Sequence, residues 1–95
     1  MNDAASEGML KARAALELKL QKARKAVGTA QVGLNAAIGV YNKIHDAAVK
    51  HGRFVPPTRH KKLVGGITKA QDKLTRRLRE LYDAEGERKE YYRPL

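Results

Sequence analysis

Three histidines, a single serine and a cluster of carboxylates are the residues of this 95-residue chain with the chemistry for catalysis. Their spacing argues against it. Ser6 stands near the N-terminus and there is no cysteine, so a Ser/His/Asp or Cys/His arrangement has little to build on. His45, His51 and His60 lack the HExxH spacing that puts two ligands on one helical face. They read as solvated residues near helix ends, not as the convergent ligands of a tetrahedral site. Asp83, Glu85, Glu87 and Glu90 could pair as acid and base, but they answer the basic N-terminal half of the chain more economically. No GxGxxG or Walker loop is present, and Gly65-Gly66 lacks the lysine and hydroxyl residue that a phosphate loop requires. The expectation is a non-enzymatic protein with no cofactor and no metal.

The cations are more informative. Twenty Lys and Arg against ten Asp and Glu give a net charge of +10, which favours a polyanionic partner. From Lys43 to Lys62 there are six basic residues and one acid; Lys69, Lys73, Arg76, Arg77 and Arg79 follow, against Asp72 alone. Arg59, His60, Lys61 and Lys62 fall where a second helix should begin, at the positive end of its dipole, a position unfavourable for cations by about 0.3–1 kcal/mol each. A bound phosphate would satisfy those side chains and the free backbone N–H groups together. The candidate polyanion-binding residues are therefore Lys43, Lys50, Arg53, Arg59, His60, Lys61, Lys62, Lys69, Lys73 and Arg76. RNP-type aromatics, C₂H₂ spacing and a helix-turn-helix core are all missing, so contact to nucleic acid is expected at phosphates and not at base edges. Two alternatives use the same charge: an adaptor or inhibitor whose basic face meets an acidic protein surface, and a peripheral membrane binder.

These cations need elements to position them, and the apolar pattern supplies two. Leu16, Leu20, Ala23, Val27, Ala30, Leu34, Ala37, Tyr41, Ile44 and Ala48 alternate steps of four and three, the seam of a helix packed along its length on another. Arg13 and Met9 extend the series backwards, with Arg13 its one discordant member. A long first helix over about 4–50 is predicted, with Asp3 or Ser6 as its cap and Gly52 as its stop. The stretch GRFVPPT then breaks the pattern, placing a loop over 52–58. A second seam reads Leu63, Ile67, Ala70, Leu74, Arg77 or Leu78, Leu81 and Ala84. Its helix should start at 59, capped by Thr58, or at Thr68, where TKAQ matches a capping box, and should run to about 91. A break or kink is expected at Gly65-Gly66, since each glycine costs a helix about 1 kcal/mol against alanine.

Two long helices and a short proline-containing loop predict one all-α domain over 1–95, an antiparallel, coiled-coil-like hairpin. A loop centred near 55–56 makes facing residue numbers sum to about 111, pairing Ile44 with Ile67, Ala37 with Leu74, Ala30 with Leu81 and Leu20 with Tyr91. In that register Lys22, Arg24 and Lys25 have Glu85, Glu87 and Glu90 as partners. Tyr91, Tyr92 and Leu95 would cover Leu16 and Leu20, or YYRPL would serve as a docking peptide.

One stretch does not fit a solitary hairpin. AVGTAQVGLNAAIGVYN, Ala26–Asn42, holds seventeen residues without a charge. A helix uncharged all round is expected to be surrounded. Ala26, Ala30, Val32, Gly33, Ala37, Ile38 and Val40 are accordingly predicted as an interface to further copies or to a larger assembly. With three amides and three glycines the stretch is too short and too polar for a bilayer span, which takes about 20 apolar residues. The acidic N-terminus, without a basic start or a long apolar run, is not expected to act as a signal peptide. A cytoplasmic location or the interior of a virus particle is expected, with peripheral membrane binding kept only as the weaker alternative.

Overall fold

The computed structural model describes residues 3–92, with side chains from Glu7 to Tyr92, as two helices, α1 (Asp3–Lys50) and α2 (Pro57–Tyr91). There is no strand among them. α1 is about 72 Å long at 1.5 Å per residue, and the hairpin is a rod with a cross-section of only 18 × 16 Å. The predicted caps Asp3 and Ser6 lie outside the described side chains.

Gly52 stops α1 as expected. Its φ is +64°, which L side chains rarely adopt. The Gly52 N–H donates to the Val49 carbonyl at 3.0 Å and the Arg53 N–H to the Ala48 carbonyl at 2.8 Å. These are the paired bonds of a Schellman stop, and six residues, 51–56, then carry the chain to α2.

The start of α2 corrects two expectations. Thr58 is not the cap: the N-cap is Pro56 (φ −55°, ψ 141°), and no side chain caps the helix. Pro57 is the first helical residue, where its fixed φ suits a helix and its missing N–H costs nothing. Pro57 also holds Pro56 extended, as a residue before proline prefers. The helix proper begins with the His60 N–H on the Pro56 carbonyl at 2.9 Å.

Nor does α2 break at Gly65-Gly66. It is one helix of 35 residues, and the TKAQ segment lies in its interior instead of capping it. Leu63, Ile67 and Ala70 are all half-buried on one side of the glycines or the other. Packing of that face on α1 outweighs the helix penalty of two glycines, because helices in proteins are held more by tertiary contact than by propensity.

Every predicted seam residue is covered. In α1, Leu20, Ala30 and Leu34 are buried and the other seven are half-buried; in α2, Ala84 is buried and the rest of the seam, Arg77 and Leu78 included, is half-buried. The register differs from the expected one. Lys19 Nζ pairs with Glu87 at 2.7 Å and Arg88 Nε with Glu17 at 2.7 Å, pairs whose numbers sum to 106 and 105 instead of 111. The tight stop at Gly52 and the early start at Pro57 place the reversal nearer residue 53. The slip is close to one heptad, so the same seams still meet. Their partners change: Leu20 lies level with Ala84 and not with Tyr91.

That slip also overturns the expected ion pairs. Lys22, Arg24 and Lys25 have no carboxylate within 4 Å among the described residues, and Glu87 is taken by Lys19 instead. At the open end the Tyr91 hydroxyl donates to the Met9 carbonyl at 3.3 Å. The discordant Arg13 lies 5.3 Å from the centre of the Tyr92 ring, with Arg88 at 5.7 Å. These tyrosines thus close the hairpin beyond Leu16. Leu95 lies outside the described residues.

Candidate polyanion-binding face

A helix turns about 100° per residue, so Lys62, Lys69, Lys73 and Arg76 fall within about 60° of one another on α2. They form a row along one flank, beside the seam and not opposite it. All four are exposed, and none has a carboxylate within 4 Å among the described residues. The corrected register sets Lys69 to Arg79 against Ala26–Ala36 of α1, a segment without charge. Thr29, Gly33 and Val40 occupy the neighbouring flank of α1 by the same rotation.

The remaining predicted residues are spread more widely. Arg53 and Arg59 line an open groove under the tip with Ile44, His51, Phe54 and Val55. Lys61 points away from α1, and Lys43 and Lys50 lie on the outer side of α1, by the same rotation. His60 belongs to the opposite side of the rod. Its Nε2 lies 3.1 Å from the Tyr41 hydroxyl, and Tyr41 stacks on His45 at 6.1 Å between ring centres. The three rings support each other where the helices converge on the loop. Phe54 is 97% exposed at the tip.

Lower on the shaft, Lys22 and Lys25 of α1 meet Lys73 and Arg77 of α2 in an open groove of about 300 Å³, with Ala26 and Thr29 between them. The expected register gives Lys22 and Lys25 to ion pairs, and Arg77 is an alternative to Leu78 in the second seam. Arg77 is half-buried, its stem filling the seam position while its guanidinium emerges. There Nη1 donates to both Glu80 oxygens at 3.0 and 3.1 Å. No sequence signal reveals this groove, because it depends on which heptads face each other.

The predicted interface residues divide by side. Ala30 is buried, and Ala26 and Ala37 half-buried, against α2. Val32, at 68% exposure, projects outward; Val40 and Gly33 are exposed on the basic side and Ile38 is exposed towards the opposite one. Among the described residues no helix is long and apolar enough to cross a membrane, and no group of three or more His, Asp or Glu is placed to hold a metal ion. The chain matches no protein-family model, no curated protein and no solved structure.

Proposed function

We propose that the hairpin is a non-enzymatic nucleic-acid-binding protein that holds phosphates against the basic flank of α2 and the start of that helix, as a component of a larger nucleoprotein assembly such as a virus particle. One observation carries this reading. The Lys62, Lys69, Lys73 and Arg76 row has no carboxylate within 4 Å among the described residues, and from Lys69 onward it runs beside the uncharged Ala26–Ala36 segment of α1. Like charges kept together without counter-charges invite an external anion. The start of α2 adds to it: no side chain caps the helix, its first turn has no acid, and Arg59, Lys61 and Lys62 follow at once. The exposed Val32, Val49 and Tyr82 are apolar side chains off the basic flank that this reading leaves for neighbouring proteins in the assembly.

The test is fluorescence anisotropy with two 20-base-pair duplexes of unrelated sequence at about 150 mM salt, where charges are screened beyond ~8 Å. The expected result is similar affinity for both duplexes and its loss in Lys62→Glu/Lys69→Glu. Binding that survives this charge reversal, or no binding by the unaltered chain, contradicts the proposal.

The adaptor reading has its own support in Phe54, which is 97% exposed between Arg53 and the helix start bearing Arg59. An exposed aromatic ringed by cations suits an apolar pocket with an acidic rim. It predicts one defined protein partner and no duplex binding in the same titration.

A further inference from the structure

The groove on the shaft is lined by cations from both helices. Lys22 and Lys25 approach from α1, and Lys73 and Arg77 from α2. Glu80 answers Arg77 alone, and the three lysines have no carboxylate within 4 Å among the described residues. Folding therefore brings together two pairs of cations, one from each helix and distant in sequence, of which only Arg77 has a counter-charge, an arrangement that favours an external anion. Thr29 and Ala26 complete the lining. Towards the tip the floor stays low: a Cβ built on Gly33 or Gly66 meets nothing within 4 Å, so the space above both glycines is open. Lys62 and Lys69 border that stretch. From Lys62 to Arg77 the row covers about 22 Å at 1.5 Å per residue.

Resting on the nucleic-acid reading above, we propose that the phosphodiester backbone is seated in the shaft groove between Lys22, Lys25, Lys73 and Arg77. The strand then runs along the basic flank from this groove towards Lys62, and the tip is not the principal contact. Both helices hold the same stretch of backbone, so binding requires the folded hairpin and not α2 alone. Contact is to phosphate oxygens, by lysine as a point charge and by the Arg77 guanidinium beside Glu80.

The experiment measures the salt dependence of binding to a 20-base-pair duplex for four forms of the full chain: unaltered, Lys22→Ala/Lys25→Ala in the groove, Arg59→Ala/Lys61→Ala at the tip, and Arg24→Ala/Lys89→Ala. The last pair lies off the basic flank and removes the same net charge. Each phosphate contact contributes about 0.9 to the slope of log K against log salt on duplex DNA. The groove variant should lose about two from the slope, against little change in the off-flank variant and a smaller loss at the tip. Circular dichroism should be unchanged, since the replaced side chains are exposed and alanine favours a helix. If the unaltered chain binds and the groove variant keeps its slope, the groove assignment is wrong while the nucleic-acid reading stands. Equal losses in groove and off-flank variants also overturn it, as an effect of net charge alone. If the unaltered chain does not bind the duplex at all, the nucleic-acid reading fails and the groove assignment falls with it.

Discussion

Lys19 Nζ lies 2.7 Å from Glu87 Oε1, and two residues earlier Glu17 accepts from Arg88 Nε at 2.7 Å. Two ion pairs of opposite polarity stand side by side across the hairpin, and they mark which turn of α1 faces which turn of α2. All four side chains are 40–56% exposed, so these pairs contribute little energy, about 0–1 kcal/mol each. They report the register more than they enforce it.

Charge reversal reads that register. Lys19→Glu places two carboxylates together and should lower stability by up to about 1 kcal/mol, and adding Glu87→Lys should restore it. Urea unfolding of the two single variants and the double variant gives the coupling. Strictly additive effects would contradict the register.

The glycines of α2 give a second prediction. A Cβ at Gly65 or Gly66 meets no atom within 4 Å, and neither residue has a positive φ. Gly65→Ala and Gly66→Ala should each stabilise the helix by about 0.5–1 kcal/mol, seen as a higher melting temperature by circular dichroism. A lower one would mean that α2 needs a kink there. Gly52 is the contrast: at φ +64° alanine is strained, and Gly52→Ala should cost about 1 kcal/mol.

Core truncation separates the buried side of α1 from the exposed one. Leu20 is 1% exposed and Leu18 51%. Leu20→Ala should cost about 2–3 kcal/mol, towards the low end for a buried leucine because a two-helix seam can close on the gap. Leu18→Ala should change stability by less than about 0.5 kcal/mol. Similar losses at both positions would contradict the seam.

The seam was legible in the sequence because period is a local property. Leu16 to Ala48 repeats at steps of three and four whatever lies opposite, and all of those positions are covered in the fold. Register is not local. It was set by how abruptly the chain reverses at Gly52 and by Pro57 acting as the first residue of a helix instead of the last of a loop. An error of nearly one heptad still sets apolar residues against apolar ones, although with different partners, whereas the charged pairs are lost. For that reason Lys22 and Lys25 looked paired in the sequence and stand beside Lys73 and Arg77 in the fold. The basic row needed only helical rotation, and its cations were all among the predicted residues. The groove needed both helices in place.

Unpaired charge should also show in the free protein. With +10 net charge and four cations converging on the shaft, raising salt from about 10 to about 100 mM shortens the screening length from ~30 to ~10 Å and should raise the melting temperature. Lys22→Ala/Lys25→Ala should be at least as stable as the unaltered chain at low salt, and this advantage should shrink at high salt. A loss of stability in that variant would mean that the two lysines support the fold.

The most direct test of the account is the salt dependence of duplex binding by the unaltered chain, measured between about 50 and 200 mM salt. Four row cations together with the groove lysines predict that log K falls linearly with log salt with a slope of about −4 or steeper, equally on unrelated sequences. A slope near zero, or no binding at about 50 mM, would contradict the claim that this hairpin gathers its cations to hold phosphates.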